Sequence, residues 1–301
     1  MSDQNTTKDV ADERGINMEK NKLQKEMEQL IDQAIAGDQA ALERLLAGVQ
    51  DMVFNFSLRM LGTIPDAEDA SQEILIKVMT HLSAFRRESS FSTWVFRIAA
   101  NHLKDYRKNM FSKFPLSFEF YGEDIASGKE KDVPDLSQGI EQAMLEEELK
   151  MSCTNVMLQC LDQESRCIFI LGTMFQVDSR VAAEILGTTP EAYRKRLSRV
   201  REKMAAFMGE YCGLSGTGMC SCRKRINYAI ASHRLNPMNL EYSVLSQGAD
   251  EVVRQTKNAM EKVDDLTFVY SGMPFYRASE KAKDWMENFL KSETFRKIAE
   301  A

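Results

Sequence analysis

PDAEDASQEILIKVMTHLSAFRRESSFSTWVFRIAANHLKDYRKN, residues 65–109, reads as two amphipathic helices joined by a short polar loop. In the first, Ala67, Ala70, Ile74, Leu75, Val78, Met79 and Leu82 recur at helical spacing and predict a buried stripe. Asp66 is placed to cap this helix, and the acids after it suit the positive end of the helix dipole. The same turns leave Asp66, Asp69, Gln72 and Glu73 on an exposed acidic face. In the second helix Val95, Ile98, Ala99, Leu103 and Tyr106 form the buried stripe, and Trp94, Arg97, Asn101, Lys104 and Lys108 share another face. An aromatic ring set among cations and an amide offers stacking, hydrogen bonds and phosphate neutralisation, which single-stranded nucleic acid requires.

Helical patterning extends outward from this pair. Leu30, Ile31, Ala34 and Ile35, then Leu42, Leu45, Leu46, Val49, Val53 and Phe56, make two further stripes on either side of Gly37-Asp38. Residues 26–110 therefore predict one helical domain, preceded by a polar tail, residues 1–25, expected to be disordered. Residues 111–140 carry Pro115, Pro134 and a run of acids, and predict an extended acidic linker.

Helices return over residues 141–209. There SRVAAEILG (179–187), TTP (188–190) and EAYRKRLSRVREKMAAF (191–207) predict a helix, a turn after Gly187 and a second helix. Thr188 or Thr189 can cap the second helix, with Pro190 in its first turn and Glu191 placed to complete a capping box with Thr188. Tyr193, Leu197, Val200, Met204 and Phe207 face inward at steps of four and three. Arg194, Lys195, Arg196, Ser198, Arg199 and Arg201 are left for DNA, and arginine suits guanine edges and phosphates alike. Cys153, Cys160 and Cys167, spread along the preceding helices, read as small core thiols.

The ordered block DAED-x-x-QE, F-RxESSFxTWxFRIAxN and D-x-R resembles region 2 of bacterial sigma factors of the extracytoplasmic-function (ECF) type, within the sigma-70 family. The helix-turn-helix resembles their region 4, with two departures: Asp178-Ser179 at the lead-in and Ala182 in place of a larger aliphatic. The resemblance implies an all-α protein with two helical domains and a linker that threads the RNA exit channel. It implies that Asp66, Glu68, Asp69, Gln72 and Glu73 dock on core RNA polymerase. Phe85 to Ser92, including Arg86, Arg87 and Phe91, would capture a flipped promoter base with help from Phe96 and Asn101. Trp94, Arg97, Lys104 and Lys108 would join them on DNA. Thr189 and the basic residues of the second helix would read the minus-thirty-five element. Core polymerase and promoter DNA are the implied partners, with room for an anti-sigma factor.

Composition neither supports nor opposes this reading. The formal charge of −6 is unusual for a DNA-binding chain, but the cations cluster, with six of them between Arg194 and Lys203. Nothing resembles a secretory signal, and no apolar run approaches the ~20 residues of a membrane span, so a cytoplasmic protein is expected. His81, His102 and His233 are isolated, and no HExxH, P-loop or dinucleotide fingerprint appears, which argues against an enzyme. A helix-turn-helix regulator without polymerase affinity would leave residues 66–108 without a role. An RNA-binding module would not need the second helix pair.

Residues 210–301 exceed the two-domain pattern and predict a mostly helical accessory extension. Its stripes are Ala249, Val252, Val253, Thr256, Ala259, Met260 and Val263, then Ala282, Trp285, Met286, Phe289 and Leu290. Cys212, Cys220 and Cys222 with His233 offer zinc ligands, although the C-x-C spacing departs from common structural sites; reduced thiols without a cofactor are the other reading. CSCRKRINYAI also resembles a cysteine-bearing tail found on some sigma factors of this type.

Overall fold

The computed structural model describes residues 25–106, 116–129, 133–245, 268–293 and 295. Lys108, the stripe from Ala249 to Val263 and most of the N-terminal tail lie outside them. Every regular element among the described residues is a helix, with no strand, so the all-α expectation holds.

Helix α1 covers 25–35, and Asp38 starts α2 (Gln39–Leu61) by accepting the amide protons of Ala40 and Ala41 on its carboxylate. Leu42, Leu45, Leu46, Val49, Val53 and Phe56 are all buried, as their spacing requires. Gly62 closes α2, and α3 (Ile64–Thr80) begins at once. Its cap is Thr63 rather than Asp66. The Thr63 hydroxyl accepts from the Asp66 amide at 3.3 Å and donates to the Asp66 carboxylate at 2.6 Å. The helix starts ahead of the expected Asp66 cap because Pro65 falls in its first turn, where proline is at home. Ser90 caps α4 (Phe91–Asp105) through the Thr93 amide at 3.1 Å. Helices α2, α3 and α4 pack on one another around Phe56, Ile74, Val95 and Leu103.

The stretch expected to be an extended linker holds a folded helix, α5 (Phe118–Ala126), capped by Ser117. Phe118, Tyr121 and Ile125 are spaced i, i+3 and i+7, and all three are buried. Rings of Phe118 and Tyr121 lie 4.9 and 6.0 Å from that of Phe207. Prolines and acids dominate the composition here, but three apolar residues in register suffice to fold one helix against a neighbour.

Helix α6 (Gln142–Leu158) leads into α7 (Gln163–Phe169), which runs on through one wide turn, Ile170–Met174. The buried Arg166 guanidinium ties this segment to the first domain. It donates to the carbonyls of Leu158, Met60, Gln159 and Leu161 at 2.9, 2.6, 3.2 and 2.8 Å. Burial lowers its pKa to about 10, so it remains a cation at neutral pH, held by carbonyl dipoles at the ends of α2 and α6.

The helix pair follows as α8 (Ser179–Leu186) and α9 (Pro190–Tyr211). Gly187 makes the turn at φ 64°, a left-handed conformation that costs other residues free energy. Gly172 lets α9 approach: a Cβ there would meet the Leu197 and Tyr193 side chains at 2.5–2.9 Å. Beyond α9 come α10 (Cys222–Ala231), α11 (Glu241–Leu245), α12 (Phe268–Ser271) and α13 (Glu280–Leu290). These are packed into the body of the protein. Helix α10 lies on α6, the Glu148 carboxylate accepts the amides of Tyr242 and Ser243, and α13 meets α2 and α3.

Candidate nucleic-acid interface

The face of α4 and the adjoining face of α3 enclose an open groove of about 670 Å³. Trp94 and Asn101 line it, as the spacing predicted, together with His102, Lys77, His81 and Glu73. Lys77 Nζ donates to His102 Nδ1 at 2.8 Å, and His102 Nε2 lies 3.3 Å from the Glu73 carboxylate. An ammonium can only donate, so Nδ1 is the acceptor of this pair, and Nε2 is the ring nitrogen that faces Glu73. His102 therefore belongs to the groove, although it looked isolated in sequence; the available signal was its place beside Asn101 on α4.

Three aromatic residues at the loop and helix start form one cluster. Phe85 and Phe91 rings are 5.7 Å apart, and Trp94 lies 5.2 and 5.8 Å from them. Phe85 and Phe91 are buried, and Trp94 is half-exposed. Between them Arg86 and Arg87 are exposed, with Arg87 at φ 59° and paired to Asp32 of α1. Phe96 is elsewhere: it is 8 % exposed and packs edge-on against Phe56 and Phe175. In the free chain it is a core residue. Arg97 also leaves the groove, reaching 2.6 Å to Glu184 on α8, which packs on α4. Lys104 is half-exposed on the same helix.

The acidic face of α3 is less uniform than its sequence suggested. Asp69 is exposed. Asp66 is engaged by Thr63, Glu73 faces His102, and Glu68 accepts a hydrogen bond from Ser279 Oγ at 2.7 Å. Gln72 is half-exposed.

On α9, Thr189 caps the helix through the Ala192 amide at 3.2 Å; the capping box with Thr188 does not form, because Ala192 occupies the third helical position. Asp178 and Ala182, the two departures, are accommodated: Asp178 caps α8, and Ala182 is fully buried beside Tyr193. Lys195, Ser198 and Arg199 are exposed; Arg194 is exposed and touches Ser179, and Ser198 donates to Glu202. Arg196 pairs with Glu164. Arg201 points inward, donating to the Gly172 carbonyl at 2.9 Å and the Thr173 hydroxyl at 3.0 Å. It holds α9 against the wide turn and is not on the free face.

Cys212, Cys220, Cys222 and His233 do not assemble as a metal centre: among the described residues no group of three or more ligating side chains is arranged to hold an ion. Cys212 is buried in the core and His233 is exposed. Cys220, Cys222 and His233 line one cavity of about 230 Å³ together with Cys153, which donates to or accepts from Tyr121 Oη at 2.8 Å. Burial pushes the Cys220 and Cys222 thiols up to about 12, so they stay protonated at neutral pH.

Residues 45–109 match the family model for sigma-70 region 2, the block that forms α2 to α4. The chain is 30% identical over 185 residues to the ECF RNA polymerase sigma-E factor of Escherichia coli (strain K12), covering 58% of this chain and 93% of that protein. It is 27% identical over 176 residues to the ECF RNA polymerase sigma factor SigW of Bacillus subtilis (strain 168), covering 58% of this chain and 92% of that protein. A solved structure of CnrH in complex with the cytosolic domain of CnrY is 23% identical, with a TM-score of 0.43, over 60% of this chain and 94% of that one. The chain belongs to the ECF sigma factors of the sigma-70 family.

Proposed function

We propose that this sigma factor works as a binding subunit without chemistry of its own, in the cytoplasm. It binds core RNA polymerase and directs promoter-specific initiation, and its two helical domains divide that work. The first, residues 26–110, docks through the acidic face of α3, with Asp69 as its most accessible carboxylate, and presents the α3–α4 groove to the minus-ten element. Trp94 offers a stacking surface, Asn101 an amide for a base edge, and Arg86, Arg87 and Lys104 phosphate contacts. Phe85 and Phe91 support Trp94 as a rigid aromatic platform. The second domain, residues 141–209, lays α9 in the major groove of the minus-thirty-five element, with Arg194, Lys195 and Arg199 as its readers.

The observation that carries the reading is the pair of separate, differently built faces. One is a groove combining a ring and an amide; the other is an exposed row of cations on a helix-turn-helix. The test is reconstitution. Purified protein mixed with bacterial core polymerase should direct transcripts from a defined start on a promoter template. Unchanged, promoter-independent transcription would refute the proposal.

A further inference from the structure

One side of α2 is polar where a core helix should be apolar. Asp51, Asn55 and Arg59, four residues apart, make one stripe, and Asn55 and Arg59 are only 1% and 2% exposed. Their partners lie in the extension. Asp51 accepts the Ala278 amide at 2.8 Å. Asn55 exchanges two bonds with the Tyr276 backbone, at 2.6 and 2.8 Å. Arg59 donates to the Pro274 carbonyl at 2.7 Å and to Asn155 at 2.6 Å, with its guanidinium 5.4 Å from the centre of the Tyr276 ring. Gln39, at the start of α2, donates to the Leu290 carbonyl at 3.1 Å. The same segment reaches α3, where Ser279 occupies Glu68.

We propose that residues 274–290 are an internal competitor for the polymerase-docking face, so that core polymerase binds only after this segment lifts away. The proposal rests on the docking reading of α3 given above. Two features favour a contact built to release. The segment holds Glu68, one of the residues assigned to docking, and lies along the helix next to α3. The stripe of α2 beneath residues 274–278 is polar, so water can replace those hydrogen bonds when the segment leaves, whereas Tyr276, Ala278, Ala282, Met286 and Leu290 are buried in the main core and set the cost of release. A segment docked in all but a small fraction of molecules weakens apparent polymerase affinity by that fraction.

Three forms of the full chain test this by titration with core polymerase: the native protein, Leu290→Asp and Asp69→Lys. Leu290 is the last residue of α13 and is buried in the main core, so the substitution should undock the helix. The proposal predicts at least roughly tenfold tighter binding by Leu290→Asp and roughly hundredfold weaker binding by Asp69→Lys. Backbone amides 280–290 of the native protein should exchange deuterium faster once core polymerase is bound. Equal or weaker binding by a folded Leu290→Asp, with Asp69→Lys impaired, would overturn the competitor while leaving the docking reading intact. Native-like binding by Asp69→Lys would overturn the docking reading itself. If Leu290→Asp fails to fold by circular dichroism, the exchange measurement decides: unchanged or slower exchange at 280–290 on binding refutes release.

Discussion

The acidic face of α3 and the basic face of α9 are alike in sequence, each a run of like charges on an amphipathic helix, yet the folded chain treats them differently. Three α3 carboxylates, on Asp66, Glu68 and Glu73, already face groups of the same chain, which leaves Asp69 exposed. On α9, Lys195 and Arg199 stand exposed, while Arg196 and Arg201 are committed to Glu164 and to the turn before α8. Charge on a helix is thus a list of candidates. Which of them can meet a partner depends on what the rest of the chain has already engaged.

The largest effect should come from breaking the platform that both faces share. Arg166→Met removes the donor for four buried carbonyls where α2, α6 and α7 meet, and should lower stability by about 4 kcal/mol in a urea titration. Next is charge reversal on α3. Asp69→Lys should weaken core-polymerase binding roughly a hundredfold, about 3 kcal/mol, with an unchanged melting temperature. Sharper still is the contrast within α9. Arg201→Ala should cost about 1–2 kcal/mol of stability and leave base discrimination unchanged, because its partners are a carbonyl and a hydroxyl of the protein. The smallest effect belongs to Arg199→Ala. If that side chain meets phosphate, stability holds while the slope of log affinity against log salt flattens by about one unit. If it reads a guanine, discrimination at one base pair falls instead, which single-base substitutions in the upstream element will reveal.

Much of this was legible before any coordinates. The stripes of α2, α3 and α4, the turn at Gly187 and the pairing of Trp94 with Asn101 all follow from periodicity, which reports how a helix meets its own core. Long-range pairing has no such signature. Arg201 and Arg199 are the same residue type two positions apart, and only the packing of α9 on the Gly172 turn separates the anchored side chain from the exposed one. Phe96 sits inside the most recognisable motif, yet its ring is packed between Phe56 and Phe175. Helix α5 was hidden by prolines and acids around three well-spaced apolar residues. Asp51, Asn55 and Arg59 carry no sequence signature of their role, because their partners in the extension lie more than two hundred residues away.

The division of labour between the two faces can be measured directly by transcription from two templates that differ only in whether the minus-ten segment is already unpaired. Asn101→Ala should impair initiation on the fully duplex promoter and recover on the pre-opened one, since its face is assigned to the melted strand. Arg194→Ala with Arg199→Ala should lose activity on both templates, since the upstream element is duplex in each. Equal losses for the two variants on both templates would contradict the account.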